Sequence, residues 1–323
     1  MSKKLILYLF VLVLLCSCTA CESRVVNTFN LIANIDSTPP KLKYIESTSE
    51  YSVEIVFDEM LNNKDSVSLI FNGEVVDNFN VKQNIVTYFR KEALIPGEKN
   101  TLNITVEDLN GNSTSVDSFV YTTNNNRADV LISEVSTKGT TKNCDKVELF
   151  VTNSGSLAGI VVSDGFNDNY NDRCILPNVY VHEGDFVVIS FKDDTMDSYK
   201  SENKAGLSSN NGCILVLESP SYNADVIDCL IYSNQKSENS EGFANENTLN
   251  TAKLLVSLGM WENAYPLSSA AVDSTLETST RTINRKSHDN HFFIDRDTSE
   301  DFYITVTSGD TFGYPNNQEQ YDD

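Results

Sequence analysis

The chain has 323 residues, 40% of them hydrophobic and 22% charged, and 46 Asp+Glu against 24 Lys+Arg give a formal net charge of -22. That length suits about two domains, each able to bury its own core. The acid surplus excludes nucleic acid as a partner, because neutralising phosphates requires clustered Lys and Arg and no window supplies them.

Lys3 and Lys4 precede the apolar run from Leu5 to Leu15, and Cys16, Ser17, Cys18, Thr19, Ala20 and Cys21 follow. A positive start, a run of ~7 to 15 apolar residues and small residues behind it read as a secretory signal peptide. The run is too short to span a bilayer, which takes ~20 residues. Leu15-Cys16-Ser17-Cys18 resembles the bacterial lipobox. The resemblance implies that residues 1–17 are a lipoprotein signal peptide and that Cys18 is acylated, with Cys21, behind the small Ala20, as the alternative. Two or more acyl chains suffice for stable anchoring. The expected partner at this end is thus a lipid bilayer. The expected location is the cell membrane, lipid-anchored and extracytoplasmic, with Thr19 favouring the outer membrane or cell surface.

Residues 18–37 read as an Asn-rich tether ending near Pro39-Pro40. From 38 to 123 short bursts alternate apolar and polar residues: Tyr51-Val53-Ile55-Phe57, Val67-Leu69-Phe71, Ile85-Thr87-Phe89, Leu102-Ile104-Val106 and Phe119-Tyr121. Period-two alternation marks strands with one buried face. Asn72-Gly73, Pro96-Gly97 and Asn110-Gly111-Asn112 punctuate them as turns. About seven short strands in this span predict a β-sandwich. The run Val53 to Met60, Leu94-Ile95-Pro96-Gly97, Ile104 to Asn112 and Phe119 to Thr123 resemble bacterial Ig-like domains, which implies a spacer or adhesive module. Asp108-Leu109-Asn110-Gly111-Asn112 has the look of a calcium loop, but Ser113 and Phe119 stand where an EF-hand needs Gly and Glu, so a plain turn is expected.

The polar stretch Thr122 to Asn126 separates a second region, 127–317, followed by the acidic tail 318–323. Val130 to Val135, Lys146 to Val151, Phe186 to Ser190, Cys213 to Leu217 and Val226 to Tyr232 are strand candidates, several of them continuous apolar runs of the kind buried on both faces. Residues 127–323 carry a net -17, against -7 for residues 18–126. Leu131 to Val135, Asp145 to Gly155, Leu157 to Gly165, Gly184 to Ile189, Thr282 to Arg285 and Asp301-Phe302 resemble the lamin tail domain, in that order. The fold class expected is therefore all-β, with two tandem Ig-like β-sandwich domains and a short helical insertion in the second. That insertion, about 234–280, places Leu249, Ala252, Leu255, Leu258 and Trp261 at helical spacing after Asn247-Thr248 as a cap. A packed helix is expected; a ligand groove at Trp261 is the alternative.

Four cysteines remain beyond the anchor. Strands 212–218 and 225–232, paired antiparallel, would set Cys213 nearly opposite Cys229, predicting a disulfide there and leaving Cys144 with Cys174. Four reduced, buried thiols are the alternative.

Catalytic signals are absent from the sequence: there is no G-x-S-x-G, H-E-x-x-H, phosphate loop or Rossmann fingerprint. His288-Asp289-Asn290-His291 lacks a third metal ligand and reads as a loop. Asp164, Asp168, Asn169, Asn171 and Asp172 gather oxygen donors of the type calcium prefers, as do Asp193, Asp194 and Asp197, and calcium is the one cofactor they suggest. The expected function is non-catalytic: a cell-envelope or surface lipoprotein that binds or scaffolds a protein or glycan through loops of its second domain. An accessory hydrolase component and a purely structural envelope protein are the alternatives.

Overall fold

The computed structural model describes residues 36–166, 170–192, 198–222, 224–287 and 293–322. Cys18 and Cys21, the lipidation candidates, lie outside the described residues. The described residues divide into two compact units: those up to Leu94 with Lys99–Val120, and Ile95–Glu98 with those from Tyr121 onward.

The first unit contains β1 (Leu42–Ser49), β2 (Ser52–Phe57), β3 (Ser68–Phe71), β4 (Glu74–Val76), β5 (Phe79–Lys82), β6 (Ile85–Phe89), β7 (Lys99–Glu107) and β8 (Ser113–Tyr121). They form two four-stranded sheets, ordered β1-β2-β6-β5 and β4-β3-β7-β8. Val53, Ile55, Phe57 and Val86 of the first sheet meet Leu69, Phe71, Leu102 and Ile104 of the second. Their alternation along each strand directs every second residue inward. Asn72 and Gly73, both at positive φ (50° and 80°), make the two-residue turn between β3 and β4.

The second unit follows with β9 (Asp129–Ser136), β10 (Lys146–Asn153), β11 (Gly155–Ser156), β12 (Val161–Asp164), β13 (Asp172–Ile175), β14 (Tyr180–Val181), β15 (Phe186–Ser190), β16 (Tyr199–Lys200), β17 (Asn211–Leu217), β18 (Val226–Ser233), helix α1 (Glu246–Leu258), β19 (Val272–Asp273), β20 (Ile283–Arg285) and β21 (Phe302–Ile304). A six-stranded sheet, β16-β15-β10-β9-β20-β21, packs on a five-stranded one, β13-β12-β17-β18-β19. Both units are β-sandwiches, as the alternation predicts. α1 packs against β17, and the turn Leu267–Ala270 of the same insertion against β18, which explains why both strands are buried on both faces and read as unbroken apolar runs. The insertion also carries the chain from β18 to β19, which pair in parallel. Parallel neighbours need a long crossover of this kind.

The helix starts two residues earlier than predicted. Asn245, extended at φ -152°, accepts the Asn247 N–H with its side chain, so Asn245 is the cap, and Gly259 in the left-handed region closes the other end. Thr251, Ala252 and Leu255 form the buried stripe. Trp261 is core, not groove: it is 4% exposed, its indole N–H donates to the Ala270 carbonyl at 3.0 Å, and its ring stacks on Phe302.

The disulfide expectation is corrected. Cys144, Cys174, Cys213 and Cys229 are buried thiols with no disulfide between them. In the β17–β18 register Cys213 faces Ile231 and Cys229 faces Leu215, so the two thiols stand diagonally, two residues out of step. Diagonal neighbours lie ~7 to 8 Å apart, beyond the ~4.4 to 6.8 Å that usually separates the Cα atoms of a disulfide. Each thiol instead donates to the insertion: Cys213 to the Thr248 carbonyl at 3.7 Å and Cys229 to that of Met260 at 3.1 Å. Burial pushes Cys174 up to about 12 and Cys229 well above its ordinary value.

The outermost strands of the second unit are short or covered. β16 and β19 have two residues each and β21 three. Tyr321 N–H bonds to the Ile304 carbonyl beside β21, and Glu202 N–H to the Arg173 carbonyl beside β13.

Candidate functional site

Three buried aspartates of the second unit converge on one loop, residues 201–208, at one end of the sandwich. Asp164 ends β12 and Asp172 begins β13, and the strand register sets them opposite each other. Asp172 Oδ2 accepts from Ser201 Oγ (2.7 Å) and Ala205 N (2.9 Å), and Oδ1 from Asn203 N (2.9 Å) and Arg173 N (2.8 Å). Asp164 Oδ2 accepts from Asn171 Nδ2 (3.0 Å) and Ser208 Oγ (3.4 Å). Asp145, just before β10, accepts from Gly139 N (2.6 Å) and Leu207 N (3.0 Å) and pairs with Lys192 Nζ at 2.9 Å. A Cβ on Gly206 would sit 2.6 Å from Asp145 Oδ2, and its φ of +87° is left-handed, so the loop requires glycine there.

Adjoining segments join the same platform. Glu277 accepts from Thr137 N (2.5 Å) and Thr137 Oγ1 (2.6 Å), Asn143 Nδ2 reaches the Ser279 carbonyl at 3.0 Å, and Lys138 Nζ the Ser274 carbonyl at 2.7 Å. Burial pushes Glu277 up to about 7 against the hydrogen bonds from Thr137. Burial likewise raises Asp164, and the facing Asp172 charge adds to the effect.

The structure thus brings together Asp164 and Asp172 of the predicted calcium set, but surrounds their oxygens with N–H and O–H donors. A cation at Asp172 would have to displace four such contacts. Asp168 and Asn169 lie outside the described residues, as do Asp193, Asp194, Asp197 and His288-Asp289-Asn290-His291.

A different acidic group assembles in the first unit. Asp36, Glu59 and Asp108 bring carboxylate oxygens within 4.8 Å of one another, the one such triad of acidic, His or Cys side chains among the described residues. Asp108 opens the Asp-x-Asn-Gly-Asn turn and accepts from Asn110 N, Asn112 N and Asn112 Nδ2 at 2.7–2.9 Å. Burial would raise Asp108, but these bonds outweigh it and hold it below the ordinary value. Burial, then the charges of Asp108, Asp36 and Asp58, raise Glu59. The turn is visible in the sequence; its partners, far upstream, are not.

Two more polar assemblies lie inside the second sandwich. Arg285 Nη2 donates to both oxygens of Asp228, at 2.7 and 2.8 Å, between the sheets, with side-chain exposures of 1% and 2%. At the bulge of β9 the pair takes both backbone groups of Ile132: its N–H reaches Asp228 Oδ2 (2.6 Å) and its carbonyl accepts Arg285 Nε (2.7 Å). Glu134 and Glu148 face each other on β9 and β10, both fully buried.

The TP_1001_2nd model, described as a protein second domain, matches residues 128–205 and 194–304 in two overlapping segments, more than half of the chain. The chain belongs to the TP_1001_2nd family. The TP_1001_2nd match takes in Asp145, Asp164, Asp172, Asp228, Glu277 and Arg285, so the loop platform and the ion pair both fall within it. No curated protein matches the sequence. Among solved structures, the N-terminal part of the bacterial S-layer protein SbsC aligns with a TM-score of 0.24 at 11% identity, over 58% of this chain and 41% of that one. Dimeric latent PorU from Porphyromonas gingivalis aligns at 0.20 and 12%, over 61% and 20%. The chain spans less than half of either structure, and at these scores neither likeness bears on its function.

Proposed function

We propose that this protein is a lipid-anchored, extracytoplasmic binding or scaffolding module without catalytic activity, in which the first sandwich is a spacer and the loop platform of the second contacts a protein or glycan. The lamin tail and bacterial Ig-like resemblances and the lipobox at Cys18 belong to this reading. What supports it is the use made of the deep carboxylates. Asp145, Asp172 and Glu277 each accept backbone N–H groups from the loops and so fix the shape of that end of the domain. Recognition residues sit in loops held by a rigid scaffold, and a pre-ordered loop loses little entropy on binding.

The test joins anchoring with recognition. Palmitate labelling of the full chain is expected and should disappear in Cys18→Ser. Protease added to intact cells should remove the protein. On a glycan and peptide array, wild type should give signals that fall at least tenfold when residues 201–208 are replaced by a Gly/Ser linker. A reproducible hydrolase activity of the purified chain, abolished by one point change, would overturn the proposal.

A further inference from the structure

The outer face of the six-stranded sheet is covered by the chain's own C-terminal segment, residues 305–317. Val135, Val147 and Leu149 point into the core, so their strand neighbours Glu134 and Glu148 point outward beneath this strap; the β9 bulge at Ser133 lets Ile132, two residues from Glu134, also face the core. Thr311 gives Glu134 its N–H (3.0 Å) and its hydroxyl (2.9 Å), and Gly313 gives Glu148 its N–H at 2.5 Å. The strap's ends are held by neutral contacts: Ser308 N to the Thr280 carbonyl (2.8 Å), and Tyr303 Oη to the Asn317 carbonyl (2.5 Å). Its middle therefore rests largely on two carboxyl groups that have no access to water.

Two buried carboxylates directly opposite each other on neighbouring strands cannot both ionise without a large cost. The hydrogen-bond inventory points the same way. Ser133 Oγ has one proton but lies 2.6 Å from Glu148 Oε1 and 3.3 Å from the Glu148 carbonyl. A proton on Glu148 makes both contacts good, because the carboxyl can then donate to Ser133. Asn284, opposite Glu134 on β20, and Asn316 of the strap each have a buried Oδ1 with no donor. The layer thus holds two buried acceptors without donors beside the two carboxyl groups. Charges facing the pair come from Asp310 on the strap and Lys146 on β10, whose Nζ lies 5.2 Å over the Phe312 ring. β21 contributes the titratable Tyr303, and β20 the neutral Asn284 and Thr282. Burial pushes Glu148 up to about 8, the Glu134 charge adding and the bonds from Ser133 and Gly313 opposing; Glu134 is raised by burial too.

We propose that residues 305–317 form a proton-dependent latch, closed while Glu134 and Glu148 retain protons and lifted as they lose them, baring the outer face of the sheet. The sign follows from linkage. An acid that titrates higher in the closed state than in the open one stabilises closure fully at low pH, and that contribution is lost as pH rises through the closed-state value. For one proton the opening constant should grow about tenfold per pH unit between ~5 and ~8 and level off above.

Hydrogen exchange of the full chain, corrected for the intrinsic base-catalysed rate, tests this on peptides covering 306–317. Wild type should open roughly 100-fold more at pH 7.5 than at pH 5.5. In Glu148→Gln the same change should shrink about tenfold or more, because the amide cannot ionise. A wild-type opening constant constant within about threefold over that range, or an undiminished slope in Glu148→Gln, would overturn the latch. If Glu148→Gln does not fold, carbon-13 titration of the glutamate side-chain carboxyls in wild type decides. A Glu148 carboxyl that is neutral at pH 6.5 supports the proposal, and one already ionised there defeats it.

Discussion

Removing Asp228 should expose how much the second sandwich depends on its internal ion pair. In Asp228→Ala the Arg285 guanidinium stays between the sheets, losing two hydrogen bonds of 2.7 and 2.8 Å, and the Ile132 N–H loses its acceptor. Breaking a buried pair from one side costs ~3 to 5 kcal/mol, and an orphaned N–H adds ~1 to 3 kcal/mol. Asp295, 2.7 Å from Arg285 Nη1, retains part of the compensation, as does the Phe302 ring 4.6 Å from the guanidinium carbon. We therefore expect a loss of roughly 4 kcal/mol. In a unit of this size that lowers the melting temperature by roughly 10 °C. Trp261 is the only tryptophan and lies in the second unit, so fluorescence-monitored urea unfolding reads that unit alone. The paired replacement Asp228→Leu with Arg285→Met should recover most of the loss, since apolar replacements of buried pairs are often neutral. A cost below ~1 kcal/mol for Asp228→Ala, or a double variant no better than the single one, would refute the assignment of Arg285 as a buried, compensated charge.

Other outcomes follow from the same geometry. Asn245→Ala should destabilise the insertion by ~1 kcal/mol, the usual worth of an N-cap, seen as earlier loss of Trp261 emission. Thiol titration of native protein should find Cys174, Cys213 and Cys229 reacting orders of magnitude more slowly than in urea, since burial raises all three. Stability should fall as pH rises from ~4.5 through about 7, where Glu277 ionises in the folded state, and Glu277→Gln should flatten that limb in pH-resolved denaturation. Calorimetry with millimolar calcium should detect no heat at the Asp164–Asp172 hairpin, which an unchanged signal in Asp164→Asn would confirm.

Much of the fold is legible in the residues. Val53-Ile55-Phe57 and Leu102-Ile104-Val106 alternate because one face is wet, and Cys213 to Leu217 runs unbroken because a helix covers its other face. β1 escapes notice because Leu42 to Ser49 holds few apolar residues, as an edge strand can. The cysteine pairing fails for lack of register: a two-residue slip leaves alternation intact but separates the thiols. The aspartates of the loop platform are conspicuous in the sequence, yet their use is not, since carboxylates that bind calcium and carboxylates that hold backbone N–H groups have the same composition. Glu134 and Glu148 do leave a trace, as acids at alternate positions inside apolar strands, a pattern that only the strap beyond Ile304 explains.

The short rims of the second sandwich carry a consequence for self-association. A strand of two or three residues offers too few open amide and carbonyl groups to template another chain. The β21 rim is already occupied by the backbone near Tyr321, and the β13 rim by Glu202. Edge-to-edge strand addition, the commonest route by which β-proteins polymerise into fibrils, therefore finds little open backbone on these rims.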